Sequence, residues 1–152
     1  MMSAVLSRSV VNRSMGGFTL IEVIIVVVVV SILMAIGLPA YENSMQKNRR
    51  TDAKAALMEV ANKQEQFMLD QGTYTGDMTQ LGLGADPYPS EEEYYTVDAS
   101  FCPGDSDFDS CFLLTATPVA GKAQAKDSRC ASFTLNSNGV KGPTASNQND
   151  CW

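Results

Sequence analysis

An apolar segment near the N-terminus constrains the fold of this chain more than any other feature. Residues 23–38 read VIIVVVVVSILMAIGL and carry no charge, and the apolar run as a whole covers residues 18–40. At about 1.5 Å of helical rise per residue, a segment of this length spans roughly 30 Å, the thickness of the bilayer hydrocarbon core. The segment therefore predicts a membrane-spanning helix.

A secretory signal peptide is the simplest alternative interpretation of this segment. Residues 1–17 would form its n-region, because they contain Arg8 and Arg13 and no acid. Signal peptides carry a small-residue cleavage site behind the apolar stretch, and residues 38–48 contain no clear site of this kind. We therefore expect the apolar segment to be retained in the protein.

One carboxylate, Glu22, interrupts the beginning of the apolar segment. A charged side chain inside a bilayer costs on the order of several kcal/mol unless it finds a partner. An ordinary membrane anchor has no reason to keep such a residue. Glu22 is therefore interpreted as a functional residue that requires a cationic partner.

The sequence from Gly17 to Glu22, GFTLIE, followed by an unbroken apolar run, resembles the class III signal of type IV pilins. The resemblance implies that a prepilin peptidase cleaves between Gly17 and Phe18, and that the new amino terminus of Phe18 is then methylated. Glu22 becomes the fifth mature residue and Pro39 the twenty-second, as in the family, and a mature N-terminal Phe resembles its type IVa branch. The leader of 17 residues is longer than is usual in that branch.

The resemblance also gives Glu22 a partner. The free amine of Phe18 is a cation inside an apolar fibre core, and an unpaired buried charge is far worse than a paired one. We therefore predict that Glu22 pairs with the Phe18 amine of a neighbouring subunit during assembly. Pro39 is expected to kink the helix, because proline removes a helical hydrogen bond.

Beyond the membrane segment the pattern becomes that of an amphipathic helix, which extends the helix to about residue 70 and ends it before Gly72. Its apolar stripe consists of Ala53, Ala56, Leu57, Val60, Ala61, Phe67 and Met68. Residues 72–93 are predicted to form a loop pinned by Tyr74, Met78, Leu81 and Leu83. The positive charges Lys47, Arg50 and Lys54 share one helix face, which is either solvated or turned towards an acidic neighbour in the fibre.

Three alternating patterns follow and predict strands: Tyr95, Val97, Ala99 and Phe101; Phe112, Leu114 and Ala116; Ala131, Phe133 and Leu135. Asn138-Gly139 indicates a turn. The predicted fold class is α+β, the pilin fold, with a long N-terminal helix packed on a small antiparallel sheet. The chain divides into a cleaved leader, residues 1–17, a membrane or fibre-core helix, residues 18–40, and a head domain, residues 41–152.

The four cysteines all follow the apolar segment and indicate two disulfides formed in an oxidising compartment. Three pairings are possible, and we choose Cys102–Cys111 with Cys130–Cys151 because each pair brackets one loop. Positive charges on the two sides of the membrane segment leave its orientation ambiguous. The cysteines therefore place the head in the periplasm while the helix lies in the inner membrane.

The composition disfavours catalysis and metal binding. Histidine is absent, which removes the commonest general base and metal ligand. The cysteine spacings fit no zinc motif, and Asp105, Asp107 and Asp109 lack the glycine and glutamate of a calcium loop, so a solvated acidic turn is favoured over calcium. We expect no enzyme activity, cofactor, metal or small-molecule substrate.

The resemblance implies a structural subunit, most like a minor pilin with a C-terminal disulfide loop, whose functions are fibre assembly, twitching motility and adhesion. Its partners would be other pilins and the prepilin peptidase, and its final location the extracellular pilus. The first alternative is a minor pilin that binds DNA in natural transformation, through the four basic residues after position 121, Lys122, Lys126, Arg129 and Lys141. The second alternative is a pseudopilin of type II secretion.

Overall fold

A computed structural model describes residues 17–143 and 151–152 of the chain. It divides into two compact units, Met1–Ala40 and Tyr41–Trp152. One helix, α1 (Leu20–Gln71), contributes to both units and contains Pro39 within its length. The expected kink at Pro39 and the leader boundary stay predictions, and residues 1–16 of the leader lie outside the described residues.

In the N-terminal unit, α1 begins after Thr19, whose side chain acts as an N-cap. The Thr19 hydroxyl accepts a hydrogen bond from the Glu22 N–H at 3.3 Å, which satisfies one of the free donors of the first turn. The apolar side chains that follow are all exposed within the unit. In the described part of the chain, α1 is the one helix long and apolar enough to cross a membrane.

In the second unit, the remainder of α1 packs on a five-stranded antiparallel sheet. The strands are β1 (Tyr88–Pro89), β2 (Tyr95–Ser100), β3 (Leu113–Pro118), β4 (Phe133–Asn136) and β5 (Lys141–Pro143). They neighbour one another in chain order. A short 3-10 helix, Ala123–Lys126, lies between β3 and β4. The predicted α+β class and the antiparallel meander are confirmed.

The core of this unit lies between the helix stripe and one sheet face. Its buried members from α1 are Ala53, Ala56, Leu57 and Val60, and those from the sheet region are Tyr95, Val97, Phe112, Leu114, Ala116, Phe133 and Leu135. The four predicted loop anchors, Tyr74, Met78, Leu81 and Leu83, are buried as well. Gly72 follows α1 with φ of +75° and donates its N–H to the Met68 carbonyl at 2.9 Å, as a helix C-cap does.

The strand prediction was wrong at three ends. Phe101, Phe112 and Ala131 lie outside the strands; Phe101 and Ala131 are exposed, whereas Phe112 is buried in the core. Before β4, the Asp127 carboxylate accepts hydrogen bonds from the N–H groups of Arg129 and Cys130, at 3.1 and 3.3 Å. This turn uses the backbone groups that a longer β4 would need.

The two outermost strands were not predicted. β1 contains Pro89 and pairs only with β2, while β5 ends at Pro143 and pairs only with β4. Proline is tolerated there because an edge strand leaves one side of its backbone unpaired. β4 and β5 join through the predicted Asn138-Gly139 turn, where Gly139 adopts φ of +74°. The Gly, Pro, Ser and Asn content of residues 142–149 predicts an irregular tail, of which residues 144–149 lie outside the described residues.

Candidate functional site

The residues of the predicted processing and assembly motif are accessible. Phe18 is 84% exposed, and Glu22 is exposed one turn further along the chain. Phe18 and Glu22 line a shallow apolar groove together with Val23, Val26 and Val27. Within residues 17–143 and 151–152, Glu22 forms no ion pair. The predicted roles of Gly17, Phe18 and Glu22 depend on the peptidase and on neighbouring subunits, and they therefore stay predictions.

A buried ion pair anchors the cation-bearing segment between β3 and β4 to α1. Arg50 donates from Nε to Asp127 Oδ2 at 2.7 Å and from a terminal nitrogen to Oδ1 at 2.9 Å. Both side chains are almost fully buried. Asp127 Oδ2 also accepts from the Gln124 amide at 2.9 Å. Arg50 therefore belongs to the head interior, and neither of the two predicted roles for its helix face holds for this residue.

The environment of Asp127 favours its ionised form. Burial alone would raise the pKa of the carboxyl group. The hydrogen bonds and the charge of Arg50, together with the N–H groups of Cys130 and Arg129, outweigh burial and hold the pKa of Asp127 below its ordinary 3.8. Asp127 was noted in the sequence only as part of the family resemblance, and no pattern indicated its partner.

Lys122 precedes the 3-10 helix, and Lys126 is its last residue. Lys122 forms an ion pair with Glu93 at 3.1 Å, and its amine lies 5.9 Å from the ring centre of Tyr94. Lys126 is exposed and lies beside Arg49. The Arg49 guanidinium also lies over the Tyr94 ring, 4.9 Å from the ring centre.

A second group of cations surrounds Trp152. The Lys141 amine lies 4.8 Å and the Lys54 amine 5.9 Å from the indole ring centre. Trp152 packs edge-on against Phe133, with 6.0 Å between ring centres, and its N–H donates to the Gly142 carbonyl at 3.4 Å. Burial, then the charges of Arg50 and Lys141, lower the pKa of Lys54. We call Lys54, Lys141 and Trp152 the tryptophan cluster.

The structure therefore separates the four basic residues proposed as DNA contacts. Lys122 and Lys126 lie by the 3-10 helix, and Lys141 belongs to the tryptophan cluster. Arg129 is exposed, and its carbonyl oxygen lies 3.6 Å from the sulfur of Cys151, the neighbour of Trp152. Sequence reasoning placed Lys54 only on a charged helix face and did not consider Arg49, because only the fold brings Lys54 beside Trp152 and Arg49 beside Tyr94.

Two disulfides, Cys102–Cys111 and Cys130–Cys151, close the loops that these pairs bracket in the sequence. Asp105 approaches the first disulfide, but both sulfurs are bonded to each other, so no thiolate is present to hold a metal. Asp105, Asp107 and Asp109 are exposed, and Asp107 accepts the Asp109 N–H at 3.2 Å.

Family comparisons decide the class of this protein. The model described as "Type IV minor pilin ComP, DNA uptake sequence receptor" matches residues 39–134, which is more than half of the chain. The chain belongs to the type IV pilin family. The prokaryotic N-terminal methylation motif matches residues 12–38. Pilins are structural subunits, so this chain is a pilin subunit and not an enzyme.

The chain is similar to several characterised pilins. It is 32% identical over 89 residues to the type IV wide pilus major component PilA4 of Thermus thermophilus, covering 58% of this chain and 68% of that protein. It is 29% identical to the major pilin PilA of Myxococcus xanthus, covering 72% and 48%. Prepilin peptidase-dependent protein D of Escherichia coli is 35% identical, covering 53% and 54%. The match thus spans about half the length of the last two.

Two solved pilin structures are similar to this chain. A type IV pilin from Shewanella oneidensis has a TM-score of 0.47 and 24% identity, covering 70% of this chain and 97% of that one. The non-core minor pilin PilV of Neisseria meningitidis has a TM-score of 0.48 and 23% identity, covering 69% and 92%.

Proposed function

We propose that this pilin is a minor subunit that is cleaved between Gly17 and Phe18, N-methylated at Phe18 and then built into a type IV pilus. The methylation motif over residues 12–38 and the apolar half of α1 support this proposal. Before assembly, residues 18–40 anchor the subunit in the inner membrane and the head, residues 41–152, lies in the periplasm. Disulfides, which require an oxidising compartment, support that orientation.

Substitution of Glu22 tests the assembly step. We expect Glu22→Ala to leave the subunit in the membrane and to reduce its amount in sheared fibres, because the Phe18 amine of a neighbour loses its partner. Quantitative mass spectrometry of the fibres measures this amount and also shows whether the N-terminal peptide begins at methylated Phe18. Asp70→Ala, which removes an exposed acid at the other end of α1, is the matched control. Equal incorporation of the two variants would contradict the role of Glu22.

We further propose that the head binds DNA during uptake. The observation that carries this proposal is the tryptophan cluster, in which Lys54 and Lys141 flank an aromatic ring, in a chain that matches the family of a DNA uptake sequence receptor. Lysine and arginine contact phosphates, and aromatic rings stack on exposed bases. Arg129 extends the positive charge, since its backbone adjoins Cys151.

The net charge of −6 does not exclude this role. Nine acids and no bases lie in residues 71–121, whereas residues 122–152 carry four bases and two acids. Phosphate contact depends on charge within about a Debye length, which is roughly 8–10 Å at physiological salt. The proposed local patch in this acidic protein is therefore the tryptophan cluster with Arg129, whereas Lys122 and Lys126 lie by the 3-10 helix.

Binding measured as a function of salt tests the DNA proposal. The full-length protein in detergent is titrated with duplex DNA at several salt concentrations. Each phosphate contact removed by Arg129→Glu or Lys141→Glu is expected to weaken binding and to reduce the slope of log K against log salt by about 1. Lys63→Glu, a charge reversal near the C-terminal end of α1, is the control. A wild-type protein with no salt-dependent binding would remove this proposal and leave the pilin assignment intact.

Twitching motility and adhesion are further proposed roles of the fibre, and they rest on family membership alone. The pseudopilin alternative makes a different prediction about location. A processed subunit found in trace amounts in sheared fibres supports the minor pilin. Confinement to the envelope would support type II secretion instead.

A further inference from the structure

A groove on the head is lined by two cations, a partly buried arginine and an exposed lysine. It has a volume of about 270 Å³ and lies between the first turns of α1 in the head and the 3-10 helix. The lining residues are Tyr41, Glu42, Met45, Gln46, Arg49, Ala123 and Lys126. We call it the basal groove.

Arg49 gives this groove a preference for an acceptor. Its Nε is shielded from solvent and finds no hydrogen-bond partner among residues 17–143 and 151–152, although the guanidinium lies over Tyr94. A buried donor without a partner costs about 1–3 kcal/mol, and more when it is charged. Lys126 adds a second positive charge, against the one acid among the lining residues, Glu42. A carboxylate entering the groove would face the positive charges of Arg49 and Lys126, and hydrogen bonds between ionised groups are stronger than neutral ones.

The same chain carries carboxylates of this kind at another place. Asp105, Asp107 and Asp109 are exposed in the loop closed by the Cys102–Cys111 disulfide, which we call the acidic loop. In the described part of the chain none of them forms an ion pair. The loop is well held, since Phe108 stacks with Phe101 at 4.6 Å between ring centres and its carbonyl accepts the Tyr74 N–H at 2.9 Å. An ordered loop loses little entropy on docking.

The acidic loop cannot reach the basal groove of its own chain. The loop is joined to the chain just after the end of α1, through Thr73 and Tyr74, whereas Arg49 lies in the first turns of α1 in the head. The 22 residues between Arg49 and Gln71 correspond to about 33 Å of helix. The two complementary surfaces therefore lie far apart on one subunit.

We propose that the acidic loop of one copy docks in the basal groove of a second copy, with its carboxylates on Arg49 and Lys126. A contact between two different surfaces of identical subunits is heterologous, so the copies of this minor subunit that enter a fibre would lie next to one another. The inference rests on the proposal that this chain is a fibre subunit, and it specifies a contact between heads. It is separate from the pairing of Glu22 with Phe18 in the apolar segment.

Photo-cross-linking in the full chain tests the contact. A benzophenone amino acid replaces Ala123, which is exposed and lines the groove, so Arg49 and Lys126 stay in place. Cells are irradiated, and cross-linked peptides from both membranes and sheared fibres are identified by mass spectrometry. We expect dimers of this chain whose second peptide contains residues 101–111. Adducts to DNA, to lipid or only to other proteins, or no adduct in either fraction, would overturn the inference.

Charge exchange gives a second, independent measurement. Asp107→Lys or Lys126→Glu alone is expected to lower the dimer yield about tenfold, because close charge pairs across an interface are strongly coupled. The double variant restores the pair with reversed signs and should recover the yield. Asp98→Lys changes an exposed acid outside the loop by the same charge and should have no effect. Failure of the double variant to recover the yield would contradict the contact.

The fibre content of each variant separates this inference from the proposed function. A chain that enters fibres but gives no loop-to-groove cross-link would keep its place as a pilin and lose this contact. A chain absent from fibres would overturn the pilus proposal, and the cross-links in the membrane fraction would then decide the contact.

Discussion

At the scale of single residues, the Asp127 carboxylate joins several segments of the head through hydrogen bonds. It accepts hydrogen bonds from Arg50, from Gln124 and from two backbone N–H groups. Two charges withdrawn from water add little net stability as a pair, but removing one partner typically costs about 3–5 kcal/mol. The pair also fixes the position of the segment that carries Lys122, Lys126 and Arg129.

Asp127→Asn is expected to destabilise the head strongly at neutral pH, because it leaves the Arg50 charge buried without its counter-ion. The folded pKa of Asp127 lies below the ordinary 3.8. Its contribution is therefore fully present above about pH 5, and it is lost as pH falls through the folded pKa. The difference in unfolding free energy between wild type and variant should be largest at pH 6–7 and shrink below about pH 4. Denaturant unfolding at several pH values measures it.

Asp98→Asn is the control for this series, since Asp98 is exposed on β2. Its unfolding free energy should follow that of the wild type across the pH range. A constant gap between wild type and Asp127→Asn down to pH 3 would show that the lost stability has a source other than the ionised carboxylate.

At the scale of elements, one buried amide fastens the loop after α1 to the helix. Gln64 is fully buried in the apolar stripe. Its Nε2 donates to the Thr75 carbonyl at 2.5 Å, and its Oε1 accepts the Thr75 N–H at 3.1 Å. The side-chain amide thus makes the two backbone hydrogen bonds that a neighbouring strand would otherwise make with Thr75. It satisfies both backbone groups of a residue that is itself buried.

Gln64→Leu keeps a side chain of similar size but leaves both Thr75 groups without partners. Each buried unsatisfied group costs about 1–3 kcal/mol, so we expect the unfolding free energy to fall by about 2–6 kcal/mol. Hydrogen exchange should show the loss of protection concentrated at Thr75 and its neighbours. Gln66→Leu, at an exposed position of the same helix, serves for comparison. A neutral effect of Gln64→Leu would mean that water replaces the amide.

The elements differ in how far the sequence predicts them, for physical reasons. Period and turn chemistry are local, so α1, its cap at Gly72 and the alternation in β2 and β3 follow directly from the residues. Edge strands such as β1 are only two residues long and depend on pairing with β2, which no local pattern encodes. Gln64 and Arg50 interrupt the expected pattern because their partners, Thr75 and Asp127, are brought to them by the fold.

The candidate site shows the same limit. The sequence indicates Lys141 as a cation near the C-terminus, and the disulfide pairs follow from the loops that they bracket. Lys54, the other cation beside Trp152, precedes Lys141 by 87 positions in the sequence. It reaches Trp152 only through the packing of α1 on the sheet. Glu22 is different, because its partner is predicted to belong to another subunit.

At the scale of the whole molecule, the head separates its charges along the chain. The acidic residues 71–121 precede the basic end that begins at Lys122, and each part contains one disulfide. Subunits that present one sign at one surface and the opposite sign at another are suited to head-to-tail contact, whereas repulsion opposes contact between like surfaces.

Removing the disulfides one at a time separates their contributions to stability and to binding. Loop-closure entropy predicts a loss of about 3 kcal/mol for Cys130→Ser with Cys151→Ser, and slightly less for Cys102→Ser with Cys111→Ser, because its loop is shorter. The first pair holds the C-terminus on which Trp152 contacts Phe133 and Lys141. We therefore expect only the variant without Cys130 and Cys151 to weaken DNA binding. Only the variant without Cys102 and Cys111 should lower the yield of the loop-to-groove cross-link.

Denaturant unfolding of the full-length protein in detergent measures the first effect, and the salt-dependent DNA titration measures the second at a temperature where both variants remain folded. If both variants lost DNA affinity equally, the tryptophan cluster would not be the binding surface, since the Cys102–Cys111 disulfide closes the acidic loop and not the C-terminus. If neither lost stability, the disulfides would constrain the unfolded chain less than their loop lengths require. The two disulfides thus serve different surfaces, the first ordering the acidic loop and the second the cationic C-terminus.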